Sequence, residues 1–338
     1  MKKILILFLI LFTVSFIVKE DVANFFTGAT VTNIPEQNEK MLSTNFGSIE
    51  VHFCPQEDCE QILTDEINKA NTVDCAFFEL NLEKAIDALS TKEYRVIVDD
   101  KYFDELPLEN TRNDNRKELM HNKFCIFDHS KVFTGSFNPT KNDATRNNNN
   151  LVIIESVTMA KNYEEEFNEM WSGVFGRGKQ IQEDKLYLNG FLVENYFCPD
   201  DSCEERTLKF LQSAKKRIYF MTFSFTSDDL GEEIIKNYHY DLDVKGVFDT
   251  TQAGSTYSEI HKMAALGIDV RKDETKGFMH HKVFIVDDAV LFGSYNPTSS
   301  GDEDNDENVV IIYNKEITEQ FVEEFEKIYS LGEQQKDF

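Results

Sequence analysis

Apolar and polar positions in the second half of this chain switch repeatedly between two periods. Apolar residues three and four apart mark helical stretches over 204–215, 229–237 and 317–330, the last strongly amphipathic. Short apolar runs rich in valine, isoleucine and phenylalanine mark strands over 217–225, 243–249, 282–287, 290–293 and 308–313. Strands interleaved with helices predict an α/β sandwich on a mixed sheet. The first half shows the same succession, because the chain repeats itself.

The repeat can be followed residue by residue. Phe53-Cys54-Pro55 with Cys59 recurs as Phe197-Cys198-Pro199 with Cys203, and Met120-His121-Asn122-Lys123 recurs as Met279-His280-His281-Lys282. Gly135-Ser136-Phe137-Asn138-Pro139-Thr140 returns as Gly293-Ser294-Tyr295-Asn296-Pro297-Thr298, and the apolar run after Asn150 returns after Asn308. From the Gly-Ser motif onward the spacing between copies is a constant 158 residues. It is 159 at the His-x-Lys pair, which puts one extra residue in the first copy's turn at His129 and Ser130. It is only 144 at the cysteines, and the stretch missing from the first copy corresponds to 255–269, read as a helix and a strand. Two unequal α/β sandwich lobes follow, 48–178 and 179–338, related by a pseudo-twofold axis.

The N-terminus departs from this pattern. Lys2 and Lys3 precede an apolar run from Ile4 to Val18 broken only by Thr13 and Ser15, the pattern of a signal peptide or an uncleaved signal-anchor over residues 1–20. Residues 21–47 are polar and patternless, read as a linker. The body of the protein is therefore expected outside the cytoplasm, secreted or held at a membrane by its N-terminal segment. Of the six cysteines, Cys54, Cys59, Cys198 and Cys203 form two matching Cys-Pro-x3-Cys units. Two local disulfides are preferred for an exported chain, with a four-thiolate zinc site as the alternative. Cys75 and Cys125 sit in apolar runs and are read as core residues.

Composition adds one constraint. The 338 residues carry 61 acidic against 35 basic side chains, a net charge of -26, which repels polyanions at long range. Nucleic-acid binding would need a local basic patch, and the short basic spots at Lys215-Lys216-Arg217 and Arg271-Lys272 are weak ones.

The chemistry lies in the doubled motif. His121, Lys123 and Asp128 are spaced as His-x-Lys-x4-Asp, and His280, Lys282 and Asp287 repeat that spacing. On a strand, residues two apart share a face, so each histidine lies beside its lysine while each aspartate, at an odd offset, faces away and is read as structural. His281 also faces away from His280 and is read as incidental. A phosphodiester needs an attacking atom, a proton for its leaving group and donors for its non-bridging oxygens, and two histidines with two lysines supply these parts. No cofactor is expected, and no metal-ligand cluster is read.

With the Gly-Ser-x-Asn that trails each copy, these motifs resemble the phospholipase D superfamily from about Phe53 to Tyr329. The compact lobes are most similar to its small bacterial endonuclease branch. The resemblance implies a phosphodiesterase in which one histidine attacks phosphorus, forming a phosphohistidine, while the other protonates the leaving oxygen and then activates water. It implies that Lys123, Lys282, Asn138 and Asn296 bind the equatorial oxygens and that Ser136 and Ser294 order the phosphate pocket. An acid before the last strand commonly reaches across to the opposite histidine. Glu307 is that acid in the second copy, but Asn149 stands there in the first. His121 is accordingly taken as nucleophile and His280 as acid. The substrate is a phosphodiester, a phospholipid slightly favoured over DNA or RNA. A non-catalytic binding scaffold is a third reading, which the intact double motif disfavours. Both motifs in one chain point to a monomer.

Overall fold

In the computed structural model, residues 42–335 are described; the expected signal or anchor segment lies outside them. Two mixed sheets form the frame. The first runs, in spatial order, through the strands Ile49–Cys54, Asn149–Glu155, Lys131–Gly135, Lys123–Phe127, Thr72–Phe77, Glu93–Asp99 and Thr111–Asp114. The second repeats that order with Phe191–Cys198, Glu307–Ile312, Ala289–Gly293, Lys282–Val286, Arg217–Thr222, Asp243–Phe248 and Asp269–Lys272. Even the senses match: the last three strands of each series are parallel and the other pairings antiparallel. The second sheet is widened by Ser43–Asn45 and Lys185–Leu188 at one edge and by Glu333–Gln334 at the other.

The central strands are buried on both faces, which explains why they read as continuous apolar runs rather than alternating ones. Alternate residues go to different cores. Phe124 and Ile126 join a core shared by both halves, whereas Cys125 and Phe127 face a core belonging to the first half. In the second half Val283 and Ile285 join the shared core, and Phe284 and Val286 pack outward. The shared core is closed by two long helices. Val157–Trp171, N-capped by Ser156, contributes Met159, Tyr163, Phe167 and Met170; Lys315–Leu331, N-capped by Asn314, contributes Ile317, Phe321, Phe325 and Ile328.

Four findings revise the sequence reading. Ser43–Asn45, within the expected linker, is a strand pairing in parallel with Lys185–Leu188, so the first-half chain opens by completing the second sheet. The stretch that the first copy lacks is a helix, Ile260–Ala265, but not a strand: Thr111–Asp114 takes the sheet position of Asp269–Lys272. Cys75 and Cys125 face each other on adjacent strands and are disulfide-bonded, so that all six cysteines are paired, the others as Cys54–Cys59 and Cys198–Cys203. Finally, His281 is not incidental. Fully buried, it meets Asn150 of the other half at 3.0 Å through Nδ1, while its counterpart Asn122 accepts from Asn308 at 2.8 Å.

The motif aspartates cap strand ends on the far side of each lobe. Asp287 accepts from the backbone N–H groups of Lys215, Lys216 and Arg217 at 2.8, 2.8 and 3.1 Å, and Asp128 does the same for Asn71 and Thr72 at 2.9 Å each. Both adopt positive φ, 52° and 46°, and in the first copy the extra residue His129 follows at 56°. Replacing Asp287 by alanine removes three acceptor contacts and leaves a Cβ-bearing residue in the left-handed region. The expected loss is roughly 2 kcal/mol, read as a fall of several degrees in Tm. Thermal unfolding followed by circular dichroism checks it; an unchanged Tm would show that water replaces the carboxylate.

Candidate active site

The two halves exchange hydrogen bonds where their motif strands begin. The N–H of His121 donates to the carbonyl of Asp306 at 3.0 Å, and that of His280 donates to the carbonyl of Asn148 at 2.8 Å. Each histidine therefore sits beside the residue that precedes the other half's last strand. His121 Nδ1 lies 2.8 Å from Glu307 Oε1, and His280 Nδ1 lies 2.9 Å from Asn149 Oδ1. With Nδ1 engaged, Nε2 is the ring nitrogen available to a phosphorus atom in both cases.

Lys123 and Lys282 lie beside their histidines, each donating through Nζ to the histidine's own carbonyl, at 2.5 and 2.7 Å. Both lysines are essentially buried. Burial pushes Lys123 down to about 8 and Lys282 well below the ordinary lysine value, where the neighbouring Lys123 charge adds to the effect. Burial, then the ammonium groups of both lysines, holds both histidines well below the usual imidazole value; the charge of His121 adds to the depression of His280. Burial likewise pushes Glu307 up to about 8. Burial here thus disfavours added charge of either sign, and a phosphate anion would offset two positive charges at once.

The trailing motifs close the floor. Gly135 and Gly293 pass so near the last strand that a Cβ would come within 2.4 Å of the Asn150 carbonyl oxygen and 2.1 Å of that of Asn308. Ser136 and Ser294, both fully buried, accept from the N–H groups of Asn150 and Asn308 at 3.0 and 2.9 Å, which ties the Gly-Ser turn to that strand. Asn138 is occupied differently from the expected phosphate donor: its Nδ2 donates to Asp143 at 3.0 Å. Asn296 meets a carboxyl through its backbone, whose N–H bonds to Glu307, and its Oδ1, like Asn138 Oδ1, is buried without a hydrogen-bond partner. Among the described residues no group of three or more His, Cys, Asp or Glu is arranged to hold a metal ion.

Several residues at the site were not singled out from the sequence. The Phe78 ring stands edge-on to His121 at 5.1 Å and Phe223 to His280 at 4.9 Å, with Lys123 and Lys282 over the same rings at 5.4 and 5.1 Å. Asp99 and Asp249, at the ends of matching strands, accept from the N–H groups of Met120 and Met279 at 3.2 and 3.0 Å and so set the approach to each motif. All four lie at matching positions of the internal repeat, and that correspondence was the available signal.

A family model described as cardiolipin synthase, PLD-like domain, matches residues 61–171 and 207–329, one match in each half. The chain belongs to the phospholipase D superfamily. It is accordingly a member of a phosphodiesterase family. A mitochondrial cardiolipin hydrolase of Chlamydomonas reinhardtii is 32% identical over 169 residues, 43% of this chain and 76% of that protein. A phospholipase D of Rickettsia felis is 27% identical over 132 residues, 39% of this chain and 66% of that protein. The chain spans between 51% and 59% of the length of the cardiolipin hydrolases it matches from dog, mouse and human. The solved phosphatidylserine synthase of Haemophilus influenzae Rd KW20 shares the fold, with a TM-score of 0.65 over 85% of this chain and 88% of that one at 13% identity.

In this phospholipase D fold the buried lysines work against stability. A lysine whose folded pKa lies below its unfolded value of 10.5 destabilises the protein at every pH below the folded value, and the cost disappears as pH rises past 10.5. Lys282→Met is therefore expected to raise Tm at pH 7 while abolishing turnover, with the gain shrinking toward pH 10.5. Tm measured across that range in wild type and variant checks the sign.

Proposed function

We propose that this protein hydrolyses the phosphodiester of a phospholipid head group through a phosphohistidine at His121. The carrying observation is the 2.8 Å contact between His121 Nδ1 and Glu307, against an amide at the matching position beside His280. In its ionised form the Glu307 carboxyl on Nδ1 raises the nucleophilicity of Nε2, so His121 is the better nucleophile and His280 the acid. The lone pair of His121 Nε2 forms a bond to phosphorus while the bond to the leaving oxygen breaks, and that oxygen takes the proton from His280. His280, now neutral, takes a proton from water; the hydroxide attacks phosphorus, the P–N bond breaks, and a phosphate monoester leaves. Lys123, Lys282 and Asn296 face the non-bridging oxygens.

Three observations support a lipid. The net charge of -26 opposes nucleic acid and anionic membranes alike, and of the two substrate classes only lipid has zwitterionic members. Aromatic pairs lead outward from each histidine, Phe78 to Tyr102 at 5.2 Å and Phe223 to the exposed Phe278 at 5.4 Å, giving an apolar approach to the phosphate. The relatives named above are a cardiolipin hydrolase and a phospholipase D. Residues 1–20, as signal peptide or anchor, place the monomeric protein outside the cytoplasm and against a membrane in this proposal. The alternative, cleavage of DNA or RNA, uses the same histidines and rings able to stack on bases.

The test gives the full chain vesicles of phosphatidylcholine or cardiolipin and, separately, single- and double-stranded DNA. Lipid head-group release is expected, reduced by about 10³-fold or more in His121→Ala and His280→Ala. Enzyme quenched in alkaline denaturant, which preserves a P–N bond, should carry the phosphoryl label on His121, and Glu307→Gln should slow its formation by about 10²-fold. Cut DNA with intact lipid would select the nuclease reading, and label on His280 would reverse the two roles.

A further inference from the structure

We propose that Asp143 is the positioning carboxylate of His280, supplying from a neighbouring helix the negative charge that Asn149 lacks. The proposal rests on His121 and His280 being the reacting pair. At the constant spacing of the repeat, Glu307 corresponds to Asn149, and Asp143 corresponds to Gly301. Each half therefore holds one carboxylate at this place, but at different positions: on the last strand in the second half, on the short helix Lys141–Thr145 in the first.

The geometry fits that exchange. Asp143 Oδ2 lies 3.6 Å from His280 Nδ1, while Asn149 Oδ1 takes the direct hydrogen bond at 2.9 Å. Asp143 is buried and held by N–H donors alone: the Asn138 backbone at 2.8 Å, Asn138 Nδ2 at 3.0 Å and Asn147 Nδ2 at 2.5 Å. Three donors on two oxygens favour the ionised acceptor form. Burial raises its pKa, and these bonds with the charge of Lys282 work the other way. Gly301 could not do the same, because a Cβ there would come within 2.3 Å of the Asn296 carbonyl oxygen.

The two tasks of Glu307 are thus divided in the first half. Asn149 fixes the ring orientation by accepting from Nδ1, and Asp143 stabilises the imidazolium that His280 must become. Burial disfavours the charged form of that ring most, the charges of Lys282, Lys123, His121 and His281 add to it, and the edge of Phe223 packs against it. Asp143 is the one carboxylate within ion-pairing distance of His280 among the described residues.

The experiment follows the ring nitrogens of His280 through pH in ¹⁵N-histidine-labelled full-length protein with inorganic phosphate bound, a reading that needs no turnover. Asp143→Asn should lower the His280 pKa by about one unit, and adding Asn149→Glu to that variant should bring it back. The basic limb of kcat, which requires protonated His280, should move down and return with it. Asn149→Glu alone should raise the pKa by less than about half a unit, since a carboxylate already faces the ring. An unchanged His280 titration in a folded Asp143→Asn protein, or a rise of about one unit or more in Asn149→Glu alone, would overturn the proposal. The second criterion decides if Asp143→Asn does not fold. Absence of phosphodiester hydrolysis by wild type, with the titrations behaving as expected, would remove the reaction and leave the Asp143–His280 coupling standing.

Discussion

The whole site depends on two backbone hydrogen bonds that cross between the halves, from His121 to Asp306 and from His280 to Asn148. A backbone bond fixes position more tightly than a side-chain contact, because it leaves no rotamer to adjust. Once these bonds form, the residue after each acceptor has to meet the opposite imidazole. Neither half contains a complete site: each supplies a histidine and lysine, together with the partner for the other half's histidine. Asn308 and Asn150 reinforce the crossing one layer deeper, on Asn122 and His281, so the registration does not rely on the reactive groups themselves.

Electrostatics then set the chemistry. In a protein with a large excess of acid, two ammonium groups are buried side by side within reach of two imidazoles. Water would have screened them; the surrounding cores exclude it. The result is a site whose buried positive groups suit an anion, and the few carboxylates present are shared out, one for each histidine, rather than pooled.

Much of this was legible in the residues. The doubled His-x-Lys and Gly-Ser-x-Asn motifs marked the histidines and lysines, although the strands begin only at Lys123 and Lys282, and the repeat offsets anticipated equivalent sheets. What escaped notice involved contacts that no local period encodes. Cys75 and Cys125 lie 50 residues apart, and only the pairing of their strands makes them neighbours. His281 looked idle because its partners, Asn150 and Glu324, belong to other elements. Asp143 was passed over because its copy is a glycine, so comparing repeats for likeness concealed a residue whose significance lies in the difference. Ser43–Asn45 is too short to carry a pattern and is a strand only because an edge was open to it.

The carriage of both halves on a single polypeptide has an evolutionary consequence. A site assembled from two identical subunits must accept every substitution twice, so an acid installed beside one imidazole appears beside the other. Tandem fusion removes that restriction. Asn149 and Glu307, or Asp143 and Gly301, can drift apart independently, and natural selection can specialise one imidazole for attack and the other for proton delivery.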